Sequence, residues 1–371
     1  MDMVFSPEQS DFRTAIRKFL EAKSPESEVR RLMETAEGYD PDVWAQMSQQ
    51  LGLQALTIPE AHGGAGFGFV ELLIVLEEMG RALLCAPYLS TAVLATQTLL
   101  LAGDAGAASR HLPGIAAGEV LATLAVTERD GQWEPGSVHT TARPQDQRWL
   151  LDGEKHFVLD GIIADLILVA ARTSAGISIF GVDGAAAGLT RTPMTTMDQT
   201  RKQAVLTFDA VPAELIGGDG DGWETLTRVL DVAAAALAAE QVGGAQKCLE
   251  LCVDHAKTRT QFGRPIGSFQ AIKHKCADIF VGVEAARSAA YHACWTAAEN
   301  PGELPVAARI AKSYCSEAYN HAAAEGLHIH GGIGFTWEHV SHLYFKRAKS
   351  SEVLFGAPWQ HRELLAEQLG M

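Results

Sequence analysis

The periodicity of hydrophobic and polar residues divides the chain into three stretches. Up to about residue 120 the apolar positions follow the 3.6-residue period of helices, and Ser6-Pro7-Glu8 resembles a helix N-cap with proline at the first position. From 121 to 218 the period falls toward two, in short runs divided by Gly, Asp and Pro. Beyond Gly220 an alanine-rich helical pattern returns. We predict an α+β multidomain chain with an N-terminal helical domain over 1–120, a middle β domain over 121–218 and a C-terminal helical bundle over 219–371.

Composition and charge exclude several classes of protein. The 371 residues are 47% hydrophobic and 20% charged, which excludes disordered and fibrous proteins. Acidic residues outnumber basic ones by 45 to 30, so we expect no nucleic-acid partner. The most apolar stretch, 232–239, is far shorter than the ~20 residues of a membrane span. Because the N-terminus has no pattern of a secretory signal or transit peptide, we expect a cytoplasmic protein.

Cysteines and histidines show no metal or disulfide pattern. The six cysteines form no CxxC pair, and most lie in helical pattern, as buried free thiols do. His328 and His330 are two residues apart, with His321 seven residues before His328. Side chains two apart diverge on a helix, and a Gly-Gly pair follows, so we predict no metal site.

One segment between two helical patterns has the donors that a diphosphate needs. Residues 259–270 read RTQFGRPIGSFQ. The guanidinium of Arg259, a turn opened by Gly263 and the amide of Gln270 could bind a diphosphate and the edge of an adenosine. The same residues would also suit an ordinary interhelical turn with a surface arginine. The chemistry alone leaves both interpretations open.

Four segments together resemble the acyl-CoA dehydrogenase flavoproteins. In chain order they are IPEAHGGAGFG before LEEMGRAL, LAVTE before LDGEKHFVLDG, RTQFGRPIGSFQ, and HGGIGFTWEH before FKRAK. Their order and spacing are similar to those of the family over essentially the whole chain. The resemblance implies a helical N-terminal domain, a middle β domain and a C-terminal four-helix bundle, assembled into tetramers.

The resemblance also implies FAD as the cofactor. Arg259, Gln270, Gly331 and Gly332 match family residues that hold the pyrophosphate and adenosine of an FAD bound mainly to the neighbouring subunit. Two phosphates need cationic groups and close backbone N–H groups, and glycine permits that approach. These four residues form the predicted FAD clasp.

Three further residues complete the predicted FAD site. Thr127 matches the family residue that hydrogen-bonds the pyrimidine edge of the flavin. Phe262 belongs to the arginine motif, and His328 stands where the family has a glutamine of its FAD loop. We expect His328 to hydrogen-bond the cofactor or to cap its helix.

The segment beside the flavin departs from the family pattern. The family usually has Lys-x-Trp-Ile-Thr-Asn-Gly, whereas residues 155–161 read KHFVLDG. Leu159 cannot donate the side-chain hydrogen bond to flavin N5 that threonine makes. The Gly-Ser-Asp turn of the family is replaced by RDGQWEP at 129–135. The resemblance therefore predicts an altered flavin pocket in this chain.

The catalytic carboxylate of the family is also missing. Dehydrogenation of an acyl thioester needs a carboxylate that removes the α proton while hydride leaves the β carbon for flavin N5. With Lys349 and Arg362 in register with the family, Phe355 stands at the position of the usual Glu. The alternative Glu used by some members falls near Ala233.

Other acids are poor substitutes at these positions. Glu240 lies about 10.5 Å along the helix from Ala233, too far to reach the same α carbon. Asp231 lies about 200° around the same helix and faces elsewhere. Glu352 is an outside candidate because its local turn is not fixed by the sequence.

Three functional hypotheses follow. The first is a subunit of an FAD-dependent acyl-CoA dehydrogenase that lacks the Glu and works with a Glu-bearing partner in an α2β2 assembly. It would act on an acyl-CoA substrate with a bulky or steroid side chain, with electrons passing to an electron-transfer flavoprotein. The second is a self-sufficient homotetramer with Glu240 or Glu352 as the base. The third is a catalytically silent structural or CoA-ester-binding subunit.

Overall fold

The computed structural model describes residues 5–146 and 148–371. These residues form two compact units. The bundle unit contains the chain up to Arg30, Phe69–Leu84 and Ala234–Met371, and the sheet unit contains Arg31–Gly68 and Cys85–Ala233. The order of helical, β and helical segments predicted from the periodicity is confirmed, although each unit draws on more than one of them.

Eleven α-helices lie in the described part of the chain. They are α1 (Pro7–Lys23), α2 (Glu26–Met33), α3 (Pro41–Leu51), α4 (Phe69–Ala82), α5 (Thr96–Leu101), α6 (Ala105–Ala116), α7 (Gly222–Thr258), α8 (Gln270–Glu299), α9 (Leu304–His330), α10 (Ser341–Val353) and α11 (Pro358–Gln368). The predicted N-cap of α1 is confirmed, because the Ser6 side chain accepts a hydrogen bond from the Gln9 N–H. No helix among the described residues has the length and apolar character of a membrane span.

Seven strands form the main sheet of the sheet unit. They are β1 (Ala122–Ala125), β2 (Thr141–Gln145), β3 (Arg148–Leu159), β4 (Leu166–Arg172), β5 (Ile177–Asp183), β6 (Leu189–Pro193) and β7 (Gln203–Ile216). The neighbour order is β1-β4-β2-β3-β7-β5, and β5 also pairs with β4, so five strands close into a ring. β1 and β6 attach to β4 and β7. The side chains that fill this ring are apolar, Leu151, Ile167, Phe180 and Leu206 among them.

Within the bundle unit, α4 and α7 cross at two glycines. A Cβ on Gly243 would lie 1.8 Å from the Glu77 carbonyl oxygen, and a Cβ on Gly80 would lie 2.0 Å from the Glu240 carbonyl oxygen. Neither distance leaves room for a side chain, so the two helices pack backbone against backbone. This contact fixes the part of α7 that carries Glu240.

Candidate FAD-binding site

The first half of the predicted clasp is the turn between α7 and α8, residues 259–270, called here the arginine turn. A two-strand hairpin, β8 (Thr260–Gln261) and β9 (Arg264–Pro265), forms its centre. The hairpin tip holds Phe262 and Gly263 at φ of 53° and 75°. Phe262 is 91% exposed, so the motif folds into a hairpin that projects from the surface.

The polar groups of the arginine turn point into solvent. Arg259 and Gln270 are both exposed. Neither side chain has a hydrogen-bond partner within residues 5–146 and 148–371. Phe269 precedes α8 without a side-chain cap, which leaves the first N–H groups of a 30-residue helix open. The turn thus presents a guanidinium, an amide and a helix N-terminus, which are suitable donors for an anion.

The second half of the clasp is the loop after α9, residues 331–338, called here the glycine loop. It begins with Gly331 at φ 65° and ψ −140°, a conformation that glycine adopts readily. A Cβ on Gly331 or Gly332 would meet nothing within 4 Å. The two exposed backbones are therefore open to a ligand.

The histidines of α9 have separate partners. His328 is exposed, and its Nδ1 lies 3.4 Å from Glu325 Oε1, so it pairs along its own helix instead of capping it. His330 is buried, and its Nδ1–H donates to the Gly326 carbonyl at 2.7 Å. Within the described ranges, no three His, Cys, Asp or Glu side chains are arranged to hold a metal ion.

Three imidazoles in tilted ring contact bring the two halves of the clasp together. The ring centroids of His255 and His330 are 4.4 Å apart, and those of His330 and His339 are 4.3 Å apart. His255 lies one helical turn before Arg259, and His330 directly precedes Gly331. Sequence analysis missed His255 and His339, because neither lies close in sequence to the ring that it contacts, His330.

Burial and mutual repulsion disfavour protonation of the three rings. Desolvation lowers the pKa of His255, His330 and His339. Repulsion from a protonated His330 lowers the pKa of His255 and His339 further. Arg259 near His255 acts in the same direction. The neutral form of each ring is therefore favoured.

The predicted flavin-ring residue lies in the sheet unit and is already hydrogen-bonded there. Thr127 is buried, its Oγ1 donates to the His156 carbonyl at 2.8 Å, and its carbonyl accepts from the His156 N–H at 2.9 Å. On either side of it, the buried Lys155 Nζ donates to the Val126 carbonyl at 2.9 Å and to Glu128 Oε1 at 2.8 Å. Burial lowers the pKa of Lys155 to about 8. This segment is tied firmly to β3.

A bulge in β3 changes the direction of the side chains that follow Lys155. The pairing of β3 with β7 shifts between Lys155 and Val158, and Phe157 adopts a φ of 58°. Phe157 is thereby 36% exposed, while Leu159 is buried and its carbonyl accepts from Thr123 Oγ1 at 2.6 Å. The residue that replaces the family threonine therefore packs into the protein.

Both positions that would carry a base are buried and apolar. Phe355 lies between α10 and α11 at a φ of 59° with 5% exposure, and Ala233 is fully buried. The Phe355 carbonyl accepts from His361 Nε2 at 2.9 Å. Lys312, buried with its pKa lowered to about 7, donates to the Gly356 carbonyl at 3.0 Å. The turn is held by groups that bind its backbone, and it offers no carboxylate.

The two alternative acids have partners of their own. Glu240 Oε1 accepts from Arg347 Nη1 at 2.9 Å, and the two side chains are only 8% and 4% exposed. Glu352 is partly exposed and lies 3.0 Å from Lys349 Nζ. Glu240 forms a buried ion pair that stabilises the fold, whereas the Glu352 carboxylate remains partly accessible to solvent.

Comparison with known proteins identifies the family. Sequence models for the N-terminal, middle and C-terminal domains of acyl-CoA dehydrogenase match residues 6–119, 123–211 and 220–370. The chain belongs to the acyl-CoA dehydrogenase family. Its members are FAD-binding flavoproteins, so the cofactor is FAD, and the reaction class is oxidation of an acyl-CoA.

Three similar proteins illustrate the range of relatives. Acyl-CoA dehydrogenase IpdE2 of Mycobacterium tuberculosis is 36% identical over 96% of this chain and 95% of its own. A variant of the Tcur3481-Tcur3483 steroid acyl-CoA dehydrogenase has a TM-score of 0.89 and 30% identity, covering 98% of both chains. The ChsE4-ChsE5 complex of M. tuberculosis has a TM-score of 0.90 and 27% identity, covering 100% of this chain and 99% of the other.

The donors of the clasp suit the phosphate and adenosine portions of FAD. Arg259 and the open N-terminus of α8 supply charge and N–H groups, and Gln270 supplies an amide. Gly331 and Gly332 leave room for a ligand to approach closely, while the Gly331 N–H donates to the carbonyls of Leu327 and His328. The ring-side residues suit FAD less well, because Leu159 is apolar and buried and the Thr127 hydroxyl already donates to His156.

Proposed function

We propose that this chain is the subunit of a heteromeric acyl-CoA dehydrogenase that lacks the catalytic carboxylate and completes the FAD site of a carboxylate-bearing partner. One contrast carries the proposal. The clasp residues Arg259 and Gln270 are exposed and open to a ligand, whereas Phe355 and Ala233 are apolar and buried.

The chain's own residues would act on the cofactor rather than on the substrate. Arg259 would bind the pyrophosphate through a charge-assisted pair, and Gln270 would bind the adenosine portion. Gly331 and Gly332 carry no side chains and would let the phosphates approach the glycine loop closely. When bound, FAD accepts the hydride that leaves the β carbon of the acyl group. Proton removal at the α carbon needs a base, and neither Phe355 nor Ala233 can accept a proton. That base would come from the partner.

Exposed aromatic side chains support a second chain beside the clasp. Phe262 on the arginine turn is 91% exposed, and Phe335 and Trp337 on the glycine loop are 67% and 61% exposed. Large apolar groups clustered on segments that would bind a cofactor are typical of a protein interface. An FAD shared between two chains would be covered by this surface.

The substrate and electron acceptor are proposed from the relatives. A solved relative is named as a steroid acyl-CoA dehydrogenase, and another is a complex of two named chains. We propose an acyl-CoA with a bulky, steroid-type side chain as the substrate and an electron-transfer flavoprotein as the acceptor.

One observation favours a second candidate, a homotetramer that uses Glu352 as its base. Glu352 is partly exposed and lies three residues before Phe355, at the end of α10. Its carboxylate contacts Lys349 at 3.0 Å, a pair that solvent weakens. The fold leaves this carboxylate more available than that of Glu240.

Co-expression with a carboxylate-bearing homologue tests the proposal. The purified chain alone and the complex are compared for FAD per chain and for dye-coupled oxidation of a steroid-type and a straight-chain acyl-CoA. We expect FAD and turnover only with the partner, and loss of turnover with FAD retained when the partner's catalytic Glu is changed to Gln.

The other outcomes separate the rivals. Full FAD and turnover by the chain alone, abolished by Glu352→Gln, would establish the homotetramer. Absence of FAD in both preparations would leave a structural or CoA-ester-binding subunit.

A further inference from the structure

We propose that the column of His255, His330 and His339 is the positioning element of the FAD clasp, holding the arginine turn and the glycine loop at a fixed separation. The inference rests on the proposed role of the clasp in binding FAD. It adds residues that sequence motifs do not mark and that do not themselves contact the cofactor.

Two rings of the column lie at the two ends of the glycine loop and contact each other. His330 is the last residue of α9 and precedes Gly331, and His339 follows Glu338, so the two rings stand at opposite ends of the loop. Their centroids are 4.3 Å apart with an interplanar angle of 45°. The eight residues between them therefore form a loop whose ends are held by a ring contact.

The hydrogen bonds of both rings fix how each one is held. His330 Nδ1 lies 2.7 Å from the Gly326 carbonyl, so that nitrogen carries the proton. His339 Nδ1 lies 3.2 Å from the Ser341 N–H and 2.8 Å from Ser341 Oγ. Because a backbone N–H can only donate, His339 Nδ1 is the acceptor and its proton resides on Nε2. Each ring is thus held by a hydrogen bond to a residue close to it in sequence, in addition to the ring contact.

The third ring, that of His255, connects the ends of the glycine loop to the arginine turn. His255 lies in the last turn of α7, with its ring centroid 4.4 Å from that of His330. The His255 carbonyl accepts from the Arg259 N–H at 2.8 Å, and the Arg259 carbonyl accepts from the Ile266 N–H at 2.8 Å. Displacement of His255 would therefore move the backbone of Arg259 relative to Gly331.

Charged groups surround the column without pairing with its rings. Arg259 lies near His255, while Arg30 and Glu26 of α2 lie near His339 with opposite effects on its charge. His342 and Lys346 follow on α10, where the Lys346 ammonium stands 3.9 Å from the Trp337 ring centroid. The contacts within the column are ring contacts, so a flat apolar ring should replace an imidazole there.

Substitution at His255 tests this role, because the His255 side chain makes no hydrogen bond to the residues that the structure describes. In the complex purified with its carboxylate-bearing partner, FAD dissociation constants are compared for His255→Ala, His255→Phe and Arg259→Ala. The control is His321→Ala, an exposed histidine of α9 outside the column. Loss of one ring contact predicts roughly 2-fold to 12-fold weaker FAD binding for His255→Ala. His255→Phe should restore the wild-type value, and His321→Ala should not change it.

A second measurement keeps the test valid if His255→Ala assembles poorly. Amide hydrogen exchange of the chain reports opening of the loop directly, and we expect faster exchange at Gly331 and Gly332 in His255→Ala but not in His255→Phe. FAD binding lowered by Arg259→Ala but unchanged by His255→Ala, with unchanged exchange, would overturn the positioning role and leave the clasp intact. FAD binding unaffected by either variant would overturn the clasp assignment and this inference with it.

Discussion

The clasp and the catalytic positions differ in how the chain uses its own side chains. In the clasp, Arg259 and Gln270 project from a hairpin turn and a helix start without internal partners among the described residues, and two glycines expose their backbones. At the catalytic positions, Phe355 and Ala233 are buried. The polar groups of the clasp are exposed to solvent, while the side chains at the catalytic positions are part of the core. This difference supports the proposal that the chain binds the cofactor and leaves proton abstraction to a partner.

The largest expected effect comes from substitution of Glu240. A structural role predicts loss of stability in Glu240→Gln, whereas a catalytic role predicts a stable protein without turnover. Glu240→Gln would remove the carboxylate that accepts from the buried Arg347 guanidinium, and breaking a buried ion pair of this kind costs about 3–5 kcal/mol in the free energy of unfolding. Urea unfolding measures it, with Glu352→Gln as the matched control at about 1 kcal/mol or less. A fully stable Glu240→Gln complex that has lost turnover would contradict the assignment.

The next effect concerns the clasp itself. Arg259→Ala should weaken FAD binding by about 1.5–3 kcal/mol, because a charge-assisted hydrogen bond to the pyrophosphate is lost, and should leave the fold intact. Flavin content after gel filtration measures the change. The control is Arg264→Ala in the same hairpin. The Arg264 guanidinium lies 4.2 Å from the Phe269 ring centroid, so it contacts its own chain instead of being presented to a ligand. Equal flavin loss in both variants would indicate damage to the hairpin rather than loss of a phosphate ligand.

A smaller effect follows from the pKa values of the histidine column. The pKa values of His255, His330 and His339 are lowered in the folded chain. Below a pH of about 6.5, the ordinary pKa of histidine, the unfolded chain therefore binds more protons than the folded chain does. Stability should be full above pH 6.5 and should fall as the pH drops through the folded pKa values. Unfolding midpoints between pH 7.5 and 5 measure this, and His255→Phe should reduce the slope. An unchanged slope in that variant would show that the ring does not titrate with folding.

The smallest effect is expected beside the flavin-ring residues. Phe157 is exposed and holds a φ of 58°, which costs most residues about 1–2 kcal/mol. Phe157→Gly should change stability by no more than about 1 kcal/mol, because relief of strain offsets the lost ring. The flavin spectrum of the complex should not change. An altered spectrum would mean that this chain's own ring-side residues contact a flavin.

Local patterns in the sequence predicted much of the fold. The N-cap at Ser6, the long strands β3 and β7 and the alanine-rich helices all follow from spacing and capping residues. β2 and β6 have no such pattern, because both are largely exposed and carry proline or arginine instead of an alternating apolar face. Strands of that kind form because their neighbours supply hydrogen bonds.

The candidate site was predicted only where a motif is continuous in sequence. The arginine turn and the glycine loop are runs of adjacent residues, so they were visible. The histidine column joins residues 255, 330 and 339, and the Glu240–Arg347 pair spans 107 positions. Contacts of this range depend on which helices pack together, a tertiary result that periodicity does not encode.

The number of flavins per complex distinguishes the heteromeric assembly from a homotetramer. An assembly of two such chains with two carboxylate-bearing partners contains two kinds of site, and only those that join this chain's clasp to a partner's ring pocket should hold cofactor. Native mass spectrometry of the co-expressed complex measures the number of flavins per four chains. The account predicts two FAD per four chains, and four FAD per four chains would contradict it.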